Sequence, residues 1–391
     1  MTGSARRLDM AVLLDSTEED WPSMDLAGEM LLDQWTSTLA PRVDVQALTV
    51  SIPRMLRRLP GAARHRTALN ADRAIARYLA YPLRALAARR PGRLFHVVDH
   101  SYAQLVHALP AARTGVYCHD LDAFQPLLSM GGPAWSASFR ALAGLLAAGL
   151  RSAAIVFHNT REVGRALEEH GLVTRARLVH APLGVAPEFS CDPDSDDEAS
   201  AVLAPLMGNP FVLHVGSGIP RKRIDVLFEV FARLRSKRPN LRLVQRGAAL
   251  SPEQRAHAAA LGIETALLQP PKLSRRALAG LYRRAAVVLV PSEAEGFGIP
   301  VIEALSCGVV VVASDVPALR EVGGDAVILV PVGDVAAWVL AVEGVLSHSS
   351  AVPTLARRRR RAGAFTWEHH ASTILDAYAT LACKGHPPAR S

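Results

Sequence analysis

Two glutamates stand eight residues apart, Glu295 and Glu303, in a stretch at 291–308 that reads PSEAEGFGIPVIEALSCG. A carboxylate offers two acceptor oxygens and can take both hydroxyls of a ribose. Glu303 falls one turn inside a helix predicted over 300–307, opened by Pro300 and ended by Gly308. Glu295 falls in the preceding loop, where it can face a second polyol group. Gly296 and Gly298 let the backbone approach a ligand closely. The helix start turns free N–H groups and a positive dipole end toward that loop. The arrangement fits a sugar nucleotide: ribose at one carboxylate, phosphates at the helix end, hexose near the other. A loop of capping acids with structural glycines fits the same spacing, and spacing alone does not separate the two.

A second pattern of strand, loop and helix, HVGSGIPRKRIDVLFEVF at 214–231, puts Arg221 and Lys222 at a helix opening above the same ligand. A departing nucleoside diphosphate needs its charge neutralised by metal or by cationic side chains. The sequence Asp194, Ser195, Asp196 is an Asp-x-Asp, and it lies in an acidic stretch that reads as a linker. A linker cannot fix coordination geometry. Arg221 and Lys222 with backbone amides are the expected clamp, and neither a metal nor another cofactor is expected.

These residues need a scaffold. Apolar runs at 8–14, 43–50, 93–99, 114–120, 153–159 and 176–183 alternate with longer Ala/Leu/Arg stretches. The pattern restarts with runs at 211–217, 241–247, 266–270, 287–292, 309–314 and 326–331. The runs are continuously apolar, as strands covered on both faces must be. Strand–helix alternation predicts parallel doubly wound sheets. Ser251, Pro252 and Gly262 mark the cap, first turn and end of a further helix. The expected organisation is an α/β domain over 1–189, an acidic linker over 190–208, a second α/β domain over 209–365, and, over 366–391, a helix crossing back to the first domain with a tail. Two such domains facing each other would form a ligand cleft.

The totals agree with a folded two-domain protein of 391 residues, half of them hydrophobic. No run reaches the roughly 18 apolar residues of a membrane span. Four dispersed cysteines (Cys118, Cys191, Cys307, Cys383) argue against a zinc site or disulfide framework and for a reducing, cytoplasmic setting. The net charge of +8 is uneven: eleven arginines and one acid, Asp72, lie between 51 and 93. Leucines, alanines and tyrosines interleave them. This segment, 54–93, is either a solvated helix face or a surface for peripheral contact with anionic membrane.

The motifs RKRID, PSEAEGFGIPVIEALSCG and VVVVASDVPALREVGGDAVILVPVGD, within 211–334, resemble the retaining glycosyltransferases of family 4, of the GT-B fold, with their E-x7-E motif. The resemblance implies Glu303 at the ribose and Glu295 near the transferred sugar. It implies Gly296, Phe297, Gly298 and Ile299 along sugar and phosphate, with Arg221 and Lys222 on the pyrophosphate and Gly216 and Ser217 beside them. VYCHDLDAF at 116–124 is similar to the family's His-Asp-Leu turn and would set His119 facing the donor sugar. The implied partners are a nucleoside-diphosphate sugar of GDP-mannose or UDP-hexose type and a glycan or lipid-linked acceptor. No nucleic acid is expected. Three departures stand out: WPSMDLAGEM at 21–30 replaces a Gly-Gly loop, Pro271 replaces a glycine, and Ser217 stands where some members carry arginine. A nicotinamide dehydrogenase would need G-x-G-x-x-G after a strand. The first strand here runs into DSTEED, and Gly216-Ser217-Gly218 is followed by Arg221. A GT-B enzyme of other chemistry, such as an epimerase or phosphorylase, stays open, as does a membrane or polyanion binder without turnover.

Overall fold

The computed structural model describes residues 7–19, 21–53, 55–58, 66–128, 135–192, 197–348 and 351–384. The expected linker motif Asp194-Ser195-Asp196 lies outside the described residues, as do Arg54 and Arg64 of the basic segment. The chain divides into two compact units: Met1–Gly184 with Trp367–Ser391, and Val185–Thr366.

Unit 1 holds β1 (Leu8–Leu13), β2 (Val43–Leu48), β3 (Leu94–Val97), β4 (Thr114–Cys118), β5 (Ile155–His158) and β6 (Leu178–His180). All pair in parallel, in the order β2-β1-β3-β4-β5-β6. Met10, Ala11 and Val12 on β1 have no exposed surface, so side chains on both faces are covered. This is why the inner strands read as apolar runs, whereas the edge strand β2 exposes Asp44 and Gln46. The helix Trp367–Lys384 supplies part of that cover. The Trp35 indole donates to Ala371 O at 3.1 Å, and the Tyr378 hydroxyl donates to Phe95 O at 2.8 Å. Gly115 on β4 is required there, because an added Cβ would sit 2.3 Å from the Tyr378 hydroxyl oxygen.

Unit 2 holds β7 (Phe211–Val215), β8 (Arg242–Arg246), β9 (Leu267–Leu268), β10 (Val287–Val290), β11 (Val311–Ser314) and β12 (Ile328–Val330). The parallel order is β12-β11-β10-β7-β8-β9. Val212 pairs with Val287 and Leu213 with Val288, so β7 and β10 are neighbours although three strand positions apart in sequence. Strand order reverses at that junction, and in unit 1 it reverses between β1 and β3. Open α/β sheets bind ligands beyond the carboxyl ends of such strands.

The stretch expected as a linker over 190–208 is in part helical and belongs to unit 2. Asp197–Leu203 forms a helix, followed by a 3-10 turn Ala204–Leu206. Ala199 and Leu206 are buried, and Glu198 accepts from the Ser274 hydroxyl at 2.5 Å and from its backbone N–H at 3.3 Å. Glu198 thus braces Ser274, the N-cap of the neighbouring helix Arg275–Arg284, while two apolar positions find the core. Ser251 and Gln254 form a reciprocal capping box at the start of Pro252–Ala260.

Candidate functional site

The reversal point of unit 2 brings together the loops that leave β7 and β10. Glu293 N–H donates to Arg221 O at 2.9 Å, a backbone bond that ties one loop to the other. Arg221 and Lys222 sit in a single 3-10 turn, Pro220–Lys222. Arg223, with φ +50°, separates that turn from the helix Ile224–Lys237, so the two cations precede the helix rather than open it. Lys222 Nζ lies 2.5 Å from Glu295 Oε1, and the Ser292 hydroxyl donates to the same oxygen at 2.8 Å. Arg221 Nη1 is 3.5 Å from Glu295 Oε2 and donates to Ala294 O at 3.0 Å. The side chains of Glu295 and Lys222 are 6 and 13% exposed. A carboxylate this enclosed is stable because charge and hydrogen bonds compensate it. Glu295 is therefore held by the two cations expected at a pyrophosphate.

The helix that follows is Ile299–Ser306. Gly298 precedes it at φ +99°, and an added Cβ would meet Leu319 Cδ2 at 2.7 Å. Gly296 is buried, and Ile299 is half-buried. The Phe297 ring is 4% exposed and meets Phe365 edge-on at 5.6 Å. Its side chain is spent on packing, which leaves its backbone for any ligand in the loop. Glu303 is 6% exposed and accepts from the Tyr282 hydroxyl at 2.9 Å. Burial pushes its carboxyl up to about 8, against the Tyr282 bond that favours the ionised form; Glu188 pushes in the same direction as burial, and Arg275 opposes it. Gly216 and Ser217 are half-buried at the end of β7. Gly216 N–H donates to Arg246 O at 2.9 Å, and Gln245 Nε2 donates back to Gly216 O at 3.2 Å.

His214, on β7 below this loop, was not singled out by sequence reasoning. It is buried with Nδ1 2.9 Å from Leu289 O, and its Nε2 has no partner. Burial lowers it to about 4, so the ring is neutral, donates from Nδ1 and presents a bare Nε2. A lone polar residue within the run FVLHV was the available signal.

In unit 1, His119 follows β4. Its Nε2 lies 2.8 Å from Val98 O, its Nδ1 has no partner, and its ring is 5% exposed. Burial holds it below the ordinary histidine range. Beside it stand three groups that sequence reasoning passed over, all at the reversal point between β1 and β3. Asp99 accepts from Ser101 N–H at 2.9 Å and lies 3.1 Å from His100 Nδ1. Burial alone would raise Asp99, yet His100 brings it well below the carboxylate range and Asp99 raises His100 in turn. Asp15, buried and next to Asp99, is pushed up to about 10, first by burial and then by that neighbour's charge. Its two oxygens have no donor partner.

A cavity of about 380 Å³ opens at the opposite, amino ends of the strands of the second sheet, lined by Arg283, Ala286, Cys307, Val310 and Arg358 among others. It lies where β10 and β11 begin, away from the residues described for the loops. Among the described residues no group of three or more His, Cys, Asp or Glu side chains is placed to hold a metal ion.

The folds of both units, and their comparison with known proteins, define a GT-B architecture of two six-stranded parallel α/β sheets. Residues 195–365 match the family model "Glycosyl transferases group 1". The chain is 34% identical to a D-inositol 3-phosphate glycosyltransferase of Geodermatophilus obscurus over 237 residues, 57% of this chain and 52% of that one. It is 35% identical to the protein of the same name from Xylanimonas cellulosilytica over 197 residues, 47% of this chain and 46% of that one. The chain thus spans about half the length of the curated relatives it matches. Among solved structures, Anabaena Alr3699/HepE in complex with UDP and glucose superposes with a TM-score of 0.71 at 16% identity, over 96% of this chain and all (100%) of that one. Sucrose-phosphate synthase of Thermosynechococcus elongatus gives 0.70 at 20% identity, over 97 and 100% of the two chains.

Proposed function

We propose that the protein transfers a hexosyl group from a nucleoside-diphosphate sugar to a hydroxyl of a glycan or lipid-linked acceptor, with retention at the anomeric carbon and without a metal ion, in the cytoplasm. The donor is of GDP-mannose or UDP-hexose type. The observation that carries this reading is the clustering of Lys222 and Arg221 on Glu295 at the reversal point of unit 2, inside the segment that matches the group 1 family.

In this scheme Lys222 and Arg221 leave Glu295 and take the diphosphate, which also meets the N–H groups at the start of Ile299–Ser306. Gly216, Ser217, Gly296, Gly298 and Ile299 line the donor through their backbone, as does Phe297. Glu303 binds the ribose hydroxyls. Glu295, once released, holds the transferred sugar. His119 offers a substrate hydroxyl its Nδ1, the ring nitrogen without a bond. The bond from the anomeric carbon to the diphosphate breaks, the acceptor oxygen bonds to the same face, and the acceptor's proton passes to a diphosphate oxygen. Curated relatives are named for D-inositol 3-phosphate, so a cyclitol phosphate belongs in the acceptor panel beside glycans and lipid-linked sugars.

The test is the melting temperature of the protein with a panel of nucleotide sugars, with and without EDTA, followed by product stereochemistry by NMR. One donor class should raise the melting temperature, since a ligand that binds the native state alone stabilises it. Absence of any such donor, loss of turnover on chelation, or an inverted product would each overturn the corresponding part.

A further inference from the structure

The basic segment of unit 1 is absorbed by no part of the donor site, and the structure sorts its residues. Arg66–Ile75, a π-helical stretch Ala76–Ala80 and Tyr81–Ala87 follow one another without a break. Pro82 has no N–H and its ring would strike the preceding turn of a regular helix. The wider turn, with Tyr81 N–H bonded to Ala76 O, accommodates it. The side facing the core carries Ala76, Tyr81, Ala85 and Ala88. The Tyr81 hydroxyl locks that side to the sheet, 2.7 and 2.8 Å from Leu14 O and Leu48 O.

The opposite side is apolar where it should be polar. Leu79, Leu83 and Leu86, spaced four and three apart, are 58, 57 and 40% exposed. That spacing puts them in one stripe. Arg84, Arg89 and Arg90 are exposed near it and make no ion pair among the described residues, although Arg89 Nε donates to Ala108 O at 3.0 Å. Two arginines of the segment are not part of this face. Arg93 is buried on Asp9 at 2.9 Å, and Arg77 turns inward over the Tyr102 ring. The segment's one acid, Asp72, is buried and accepts from Leu56 N–H, so no carboxylate of the segment offsets the exposed cations.

We propose that this face, Leu79, Leu83 and Leu86 ringed by Arg84, Arg89 and Arg90, docks the protein peripherally on an anionic lipid bilayer. The charge complements acidic headgroups, and the leucines have a destination only where an apolar interior lies beneath the charge. A duplex nucleic acid offers the first and lacks the second. Neither signal alone holds a protein on a membrane, and here the leucines and Arg84 sit on one helical stretch, with Arg89 and Arg90 just past its end. No helix among the described residues is long and apolar enough to cross a membrane, and the docking needs none. The inference stands apart from the donor site, which shares no residue with it.

The experiment is co-sedimentation of the full chain with vesicles of phosphatidylcholine alone and of phosphatidylcholine with about a third phosphatidylglycerol, at roughly 0.1 M salt. Binding is expected to the anionic vesicles only, and to fall with added salt. Leu79→Ser/Leu83→Ser/Leu86→Ser should weaken it at least tenfold. Arg84→Glu/Arg89→Glu/Arg90→Glu should abolish it, at about fivefold per arginine charge removed. Both variants should keep the donor-induced rise in melting temperature. A gentler probe is a dye on Leu83→Cys in a Cys383→Ser background, since Cys383 is exposed and free. Its emission should shift blue on anionic vesicles. Equal binding to neutral vesicles, wild-type binding by the leucine variant, or equal capture by duplex DNA would overturn the proposal. So would a dimer in solution that the leucine substitutions turn into a monomer.

Discussion

Replacing Glu295 with Gln should tighten the binding of a bare nucleoside diphosphate while it depresses sugar transfer. In the resting structure Lys222 gives its closest contact, at 2.5 Å, to a carboxylate that is 6% exposed. A diphosphate that takes Lys222 and Arg221 must first break those contacts. A hydrogen bond between charged groups contributes about 1.5–3 kcal/mol. The Gln amide retains a neutral acceptor, so the lower figure applies, which is about a tenfold gain in affinity. The gain should appear in calorimetric titration with GDP or UDP and no sugar. Transfer from the intact donor should fall by ~10²–10⁴, as losing one group at the reacting centre does. Unchanged or weaker diphosphate binding, in a variant that melts like the wild type, would refute the idea that carboxylate and diphosphate compete for the same cations. Lys222→Met is the complement. It strands Glu295 with Arg221 at 3.5 Å and should cost stability at the low end of the ~3–5 kcal/mol for a broken buried pair.

Gly298→Ala should lower the melting temperature by several degrees, because φ +99° and a 2.7 Å approach to Leu319 Cδ2 leave no room for a methyl group; calorimetry of both proteins decides it. Glu303 keeps its proton in the folded state up to about 8, from an ordinary 4.5, so it favours folding fully below pH 4.5 and that advantage fades as pH rises through about 8. Melting temperature against pH for wild type and Glu303→Gln should therefore diverge across that window, and Tyr282→Phe should move the inflection upward by removing a bond to the ionised form. Asp15, pushed up to about 10, is neutral at pH 7, so Asp15→Asn should change urea stability by less than about 1 kcal/mol. Asp99→Asn, which leaves His100 with Asp120 at 3.5 Å as its remaining carboxylate, should cost stability at the low end of ~3–5 kcal/mol in the same measurement.

The twelve strands were legible as β-rich runs between turn residues, most plainly where both faces of the sheet are covered and less so at the edge strand β2, which exposes Asp44 and Gln46. The helix at 252–260 was legible from its cap chemistry, and the loop–helix at 291–308 from its glycines and proline. Contacts across long sequence separations were not. Nothing local to Glu295 announces Lys222, 73 residues earlier, as its partner. Phe297 reads as a ligand contact in its motif, yet its ring turns to Phe365 because the loop must also close the core beneath it. The acidic stretch at 190–208 lacks apolar periodicity, and two buried positions, Ala199 and Leu206, were too few to reveal its helical part. The basic segment gave its charge at once but not its division of labour, since only packing decides that Arg93 is internal and Arg84 is not.

The helix Trp367–Lys384 closes unit 1 but is made after the whole of unit 2. Unit 2 is contiguous and can mature during synthesis, whereas the first sheet must wait for a wall whose Tyr378 arrives 283 residues after the Phe95 it bonds. Until then Trp35 lacks Ala371, and Phe95 and Gly115 lack Tyr378. The half-built sheet is thus the stage at which a nascent chain most needs a chaperone, and a stop codon before 367 would cripple the unit farthest from it in sequence.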